Sequence, residues 1–245
     1  MAFLTSLTVA WGAALALFAL RLRRVGGPSR RLLIAMAAGC ALGGAALHPL
    51  LRLARTLGGT GVEPFAPGWL TAYGALFGAA LAVAWVAGPL RLRALDAFAP
   101  AAGVLVAVGR LGCLASGCCF GHPSDGPWGI AYEAGSPAFV HQVKTGLVDA
   151  HATHALPVVP VAALEVALGA LMVGLGLALP RRTPEGASFR AVALTYAVGR
   201  FALELLRADP RPMSGSISLP QAISLVVVAI VLAGGWLHPG EEIAR

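Results

Sequence analysis

Gly109-Arg110-Leu111-Gly112-Cys113-Leu114-Ala115-Ser116-Gly117-Cys118-Cys119-Phe120-Gly121 closes a long apolar run and sets one arginine and three thiols among small residues and leucines. If the run crosses a bilayer, Arg110 carries a charge where insertion scales set the cost on the order of 3 kcal/mol, so a partner or a ligand has to offset it. The surrounding composition decides that the run does cross. Over 245 residues the chain is 58% hydrophobic and only 12% charged, about half the usual charged share of roughly 25%. A soluble domain cannot bury so much apolar surface, whereas about seven spans of roughly 20 residues can be cut from it.

The expected fold is therefore an all-α polytopic membrane protein, a single integral membrane domain over residues 1–245. The net charge of +7 sits in short arginine clusters beside apolar runs, without aromatic interleaving. That pattern suits an anionic leaflet and membrane lipids as partners, and it excludes a nucleic-acid face. Cys40, Cys113, Cys118 and Cys119 form no evenly spaced framework. A zinc site normally draws on two separated ligand clusters, so no metal and no cofactor are expected.

Residues 2–20 are almost wholly apolar, and Arg21, Arg23 and Arg24 follow the run instead of preceding it. A secretory signal has its charges first, so this reads as an uncleaved first span with the N-terminus outside. Further spans are expected at 32–51, 69–88, from 95 through the opening stretch, 158–179, 191–206 and 219–237, the last leaving the C-terminus inside. Residues 52–68 read as an outer loop. Tyr73-Gly74-Ala75-Leu76-Phe77-Gly78 opens the third span with small residues four apart, which lets helices approach closely. Residues 122–157, rich in Gly, Pro and Asp and holding most of the histidines, read as an extracytoplasmic cap inserted between spans four and five, with 128–132 as a short strand. On this threading 11 of the 18 Lys and Arg residues fall on inner segments and five on outer ones, with Arg110 and Arg200 in the spans. The bias agrees with the positive-inside rule.

Tyr196, Arg200, Glu204 and Arg207 are spaced by 4, 4 and 3, which puts them on one helix face. One reading is an internal Arg200/Glu204 ion pair, with Arg110 paired to a carboxylate such as Glu204 or Asp96. The other brings Arg110 beside Arg200, so that two or three guanidiniums converge on a phosphate while Glu204 orients one fork. A phospholipid reaches such a site from the side.

These residues resemble a known family. Asp96-Ala97-Phe98-Ala99-Pro100 followed by the stretch from Gly109 to Gly121 is similar to the signature of the phosphatidylglycerol:prolipoprotein diacylglyceryl transferases. Tyr196 to Asp209 resembles the family's second block, and Leu219-Pro220-Gln221-Ala222-Ile223-Ser224 resembles the start of its last span. The resemblance implies an enzyme of the bacterial cytoplasmic (inner) membrane. It would move the diacylglyceryl group of phosphatidylglycerol onto the lipobox cysteine of a prolipoprotein signal peptide and release glycerol phosphate. It also implies catalytic roles for Arg110 and Arg200 at the phosphate, with Glu204, Arg207, Tyr196, Gly109, Cys113, Gly117 and Gly121 at substrate-binding positions.

Several positions depart from the pattern. Tyr73-Gly74-Ala75 stands where many members have His-Gly-Gly, Val159-Pro160 through Glu165 replaces a His-Pro-x-Gln-x-Tyr-Glu block, and Trp11-Gly12 replaces a Tyr-Gly. Tyr73 is then the candidate catalytic base, with His151 or His154 as substitutes. Cys118 and Cys119 read as packing residues at a helix end. The alternative function is a non-catalytic phospholipid-binding or accessory protein that has lost the family's base; a transporter would need paired discontinuous helices, which the sequence does not show.

Overall fold

A computed structural model describes residues 2–24, 29–57, 72–179, 183–209, 213–214 and 217–236. Its helices are α1 (Ala2–Leu22), α2 (Ser29–Leu57), α3 (Ala72–Ala87), α4 (Arg91–Ser116), α5 (Pro137–Lys144), α6 (Val161–Ala178), α7 (Ala187–Glu204) and α8 (Leu219–Trp236). Strands β1 (Met213–Ser214) and β2 (Ile217–Ser218) pair antiparallel just before α8. Seven of the helices lie where apolar runs are expected. The outer loop expected at 52–68 falls partly in α2, which continues to Leu57, and otherwise outside the described residues.

Among the described residues, three segments are long and apolar enough to cross a membrane: Leu4–Leu22, Ala72–Ser116 and Val161–Ala178, with the shorter apolar Leu219–Gly234 beside them. The second of these is two helices, because Gly88 adopts a φ of 53° and Pro89 follows it in a 3-10 turn between α3 and α4. Helix α7 falls short of the hydropathy of a span because it carries Arg190, Arg200 and Glu204. Large apolar side chains such as Leu42, Leu81, Trp85, Leu171 and Ile230 face outward. A helical protein in lipid has this inverted economy, since lipid tails solvate leucine as well as a core does.

Small residues set the helix packing. A Cβ at Gly43 would lie 2.2 Å from the carbonyl oxygen of Gly74, and one at Gly78 would lie 2.1 Å from that of Gly39. The GxxxG pairs Gly39/Gly43 and Gly74/Gly78 therefore bring the backbones of α2 and α3 together, as the spacing in α3 predicts. Helix α4 is the central element, packed against α1, α3, α6 and α7. Phe98 meets Phe18 of α1 edge-on at 6.0 Å between ring centroids.

Asp96 proves to be structural. Its carboxylate accepts from the backbone N–H of Gly186 at 2.7 Å and of Phe189 at 2.9 Å. It thus satisfies donors at the start of α7, where the helix dipole also favours an anion. Nearby, Arg93 and Glu185 form an exposed ion pair, so this end of α4 is tied to the loop before α7. The Arg110 end lies at the opposite side of the bundle.

Residues 122–157 form a folded insertion. Residues 128–132 do not form a strand: Ile130 makes an isolated bridge to Val158 and Trp128 is exposed. The insertion instead contains α5, which sequence reading missed although Ser136-Pro137 marks its start. Ser136 Oγ accepts from the N–H of Phe139 at 3.2 Å, and Pro137 occupies the first turn. The buried Gln142 clamps the insertion, donating to the Leu156 carbonyl at 3.2 Å and accepting from its N–H at 2.7 Å.

Candidate functional site

The site grows from the register of α4 on α6. A Cβ at Gly176 would meet Pro100 at 2.9 Å, one at Gly103 would meet the Gly169 carbonyl at 2.8 Å, and one at Gly169 would meet Ala107 at 2.5 Å. The helices thus run antiparallel at close approach, with α4 positions rising as α6 positions fall. One further turn brings Arg110 to Glu165, and there Arg110 Nε lies 3.1 Å from Glu165 Oε2. Glycines supply the separation, and the helical period supplies the pairing.

Glu165 is the hub of the site. Arg200 Nε lies 3.5 Å from its Oε1, and Arg207 Nη1 lies 3.3 Å from both carboxylate oxygens. Gly199 lets α7 approach α6, since a Cβ there would lie 2.5 Å from Leu168. Arg200 also pairs with Glu204 one turn on. Arg207 forks onto Asp209 at 2.8 and 3.0 Å and faces Glu204 at 3.9 Å. The Arg200, Arg207, Glu165 and Glu204 side chains are all at most 5% exposed, and Arg110 is 15% exposed. Three guanidiniums and three carboxylates are taken out of water together. Only full mutual pairing makes that tolerable, since each isolated ion would cost several kcal/mol.

Backbone bridges hold the segment after α7 in place. Gly121 and Arg207 face each other as an antiparallel bridge. The N–H of Gly121 donates to Val159 at 2.9 Å, that of His122 to Leu206 at 3.1 Å, and that of Ala208 to Phe120 at 3.2 Å. A Cβ at Gly121 would sit 2.6 Å from the Leu206 carbonyl oxygen, so this glycine lets three backbone segments meet beside Arg207. Gly117 ends α4 in the left-handed region at φ 67° with the Tyr132 ring against it. A Cβ at Gly109 would meet nothing within 4 Å, so that face of α4 is open.

The cysteines are not simple packing residues. Arg110 Nη1 donates to Cys119 Sγ at 3.3 Å and toward Cys113 Sγ at 3.8 Å, while Ser116 Oγ donates to Cys118 Sγ at 3.3 Å. Cys119 holds a φ of 60°, uncommon for a residue with a Cβ.

Tyr73 and Tyr196 line the same region, their rings edge-on at 5.3 Å. The Tyr73 hydroxyl is 2.5 Å from Ser224 Oγ, which in turn donates to the Pro220 carbonyl at 2.8 Å. The Tyr196 hydroxyl is buried and has no hydrogen-bond partner among the described residues. His151 and His154 are exposed on the insertion, and His154 turns toward Thr153 at 2.9 Å.

Of the residues singled out from sequence, the structure brings together Arg110, Arg200, Glu204, Arg207, Tyr196, Cys113 and Gly121, with Tyr73 beside Tyr196 and Gly117 at the helix end. Gly109 faces away from close contact. Sequence reading missed the centre itself. Glu165 was visible as a carboxylate inside an apolar span, the signal that marks an intramembrane ion as a pairing partner.

The chain matches the family model described as prolipoprotein diacylglyceryl transferase over residues 5–237. It belongs to that family. It is 29% identical over 174 residues to phosphatidylglycerol-prolipoprotein diacylglyceryl transferase 2 of Clostridium perfringens, covering 67% of this chain and 59% of that protein. It is 27% identical over 169 residues to the transferase of Clostridium tetani, covering 64% and 59%. With the transferase of Thermosynechococcus vestitus it shares 30% over 173 residues, covering 69% and 60%. The chain thus spans about three-fifths of the length of the curated relatives it matches.

Proposed function

We propose that the chain is a transferase of the bacterial cytoplasmic membrane that moves the diacylglyceryl group of phosphatidylglycerol to the lipobox cysteine of a prolipoprotein and releases glycerol phosphate. The observation that carries this reading is the convergence of Arg110, Arg200 and Arg207 on Glu165 beside the buried Tyr196 hydroxyl. Arg110 is the most accessible of the three, and its Nη1 spends its hydrogen bonds on sulfur. A phosphate oxygen arriving on that accessible side gains a charge-assisted bond from the guanidinium. Tyr196 supplies one more donor. Glu165 and Glu204 hold the guanidinium forks in place beforehand, so little reorganisation accompanies the charge that builds on the departing phosphate.

In this reading seven spans run with the N-terminus outside, the insertion at 122–157 lies outside, and the site faces the outer leaflet. Tyr73 acts as a positioning residue: its hydroxyl is committed to Ser224, and its ring buttresses Tyr196. That commitment, with His151 and His154 exposed to solvent, also favours the second reading, a phospholipid-binding protein without turnover.

Incubation of the full chain in phosphatidylglycerol nanodiscs with a lipobox peptide separates the two. Thioether-linked diacylglyceryl peptide, lost in Arg110→Ala and Arg200→Ala, is the expected product. Retention of phosphatidylglycerol by a well-folded chain without any product would leave only the binding reading.

A further inference from the structure

The three thiols at the end of α4 are unexplained by a phosphate site. Their Sγ atoms all lie within 4.8 Å of one another. The chain has to work to place them so. Cys113 lies in the last turns of α4, Gly117 stops the helix in the left-handed region, and Cys119 adopts a second positive φ that folds its side chain back toward the first thiol. We propose that Cys113, Cys118 and Cys119 bind one zinc ion, whose fourth position takes the acceptor cysteine thiol; the acceptor's identity rests on the transferase reading above.

The geometry fits a tetrahedral metal. Zinc–sulfur bonds of about 2.3 Å put tetrahedral ligands roughly 3.8 Å apart, so the thiols need to close by no more than about 1 Å at a helix end. Cys113 is buried while Cys118 and Cys119 are half-buried, so the cluster is reached from the Cys118–Cys119 side. Three protein ligands with one open position is the arrangement of a catalytic zinc, which explains why the search for a second ligand cluster in the sequence misleads. The surroundings also fit. Arg110 donates to Cys119 and Cys113, and Ser116 donates to Cys118, as hydrogen-bond donors do around metal thiolates. Three thiolates leave a zinc site with one net negative charge, and Arg110 lies against it.

The chemistry answers a need that the side chains placed as candidate bases, Tyr73, His151 and His154, do not meet among the described residues. A thiol coordinated to zinc is deprotonated outright, so the acceptor becomes a nucleophile without a general base. Its proton passes to solvent. The sulfur then attacks the glyceryl carbon that bears the phosphate ester: the C–S bond forms, the C–O bond breaks, and the electron pair leaves on the phosphate oxygen. Arg110 touches both the thiol cluster and Glu165, so nucleophile and leaving group would be served by one side chain.

The test uses the full chain in phosphatidylglycerol nanodiscs, stripped with a chelator and titrated with Zn2+ and with Co2+. Stoichiometric binding is expected, with the sulfur-to-cobalt absorption of a thiolate site. A lipobox peptide should shift that absorption, and the same peptide with Ser for Cys should not. Cys118→Ser and Cys119→Ser should each weaken metal binding by more than the roughly 10–100-fold that loss of an outer partner costs. Unfolding of the metal-free variants should match that of the metal-free parent, which separates a lost ligand from a misfolded chain. Absence of stoichiometric metal, a cobalt spectrum indifferent to the peptide, or equal turnover by the stripped chain would each overturn the inference. A peptide-dependent shift without thioether product would uphold the site and sink the transferase reading instead.

Discussion

Glu165 of α6 lies 3.1 Å from Arg110 of α4, and the same carboxylate reaches Arg200 at 3.5 Å and Arg207 at 3.3 Å. One buried anion therefore holds three cations that come from α4, from α7 and from the segment beyond it. Its loss is felt by all three at once.

Glu165→Ala should destabilise the chain by about 3–5 kcal/mol, because removing one member of a buried ionic group leaves the others uncompensated. Glu165→Gln keeps the shape and some hydrogen bonds and should cost less. Thermal unfolding in detergent measures both. An alanine variant as stable as the parent would mean that the arginines are not held by this carboxylate.

Tyr73→Phe should lower stability by about 1 kcal/mol through loss of the Ser224 hydrogen bond, and should reduce turnover by no more than about threefold. General-base catalysis is worth roughly 10²–10⁴ in rate. A loss of that size in a chain that still binds phosphatidylglycerol, with a changed pH profile, would make Tyr73 the base and not a support for Tyr196.

The glycines divide into two kinds, and substitution should tell them apart. Gly43→Ala puts a Cβ 2.2 Å from the Gly74 carbonyl oxygen, so α2 and α3 must separate and the unfolding temperature should fall. Gly109→Ala adds its Cβ to open space within a helix, where alanine is favoured by up to about 1 kcal/mol. It should therefore be neutral or stabilising. Reduced product with unchanged stability would show that lipid uses the open face at Gly109.

Asp96→Asn removes the charge that caps α7 while keeping a side-chain acceptor. The expected loss is about 1 kcal/mol, and hydrogen exchange at the Gly186 and Phe189 amides should rise while exchange at the Arg200 end of α7 stays unchanged. Uniform loosening of α7 would mean that Asp96 holds the helix by more than its first turn.

Much of the architecture is legible in the residues, because hydropathy and helical period are local. The small-residue spacing in α3 announces the close approach to α2, and the spacing of Tyr196, Arg200, Glu204 and Arg207 announces one polar face. Helix α5 was hidden by the polar composition of its surroundings; its Ser-Pro start was the legible sign. The opening of α7 on Asp96 was also hidden, because the cap comes from a different helix.

By itself the sequence determined a helical membrane protein of the prolipoprotein diacylglyceryl transferase family, since apolar content and the order of Arg110, Arg200, Glu204 and Arg207 can be read along the chain. Only the tertiary structure decided what those arginines face. Glu165 reaches them because Gly103, Gly169 and Gly176 fix the antiparallel register of α4 on α6, and Gly199 brings in α7. The convergence of Cys113, Cys118 and Cys119 likewise depends on two departures into positive φ, at Gly117 and Cys119, on either side of Cys118. Residue spacing cannot show such a turn, because it is a property of backbone angles set by the neighbours that pack around it.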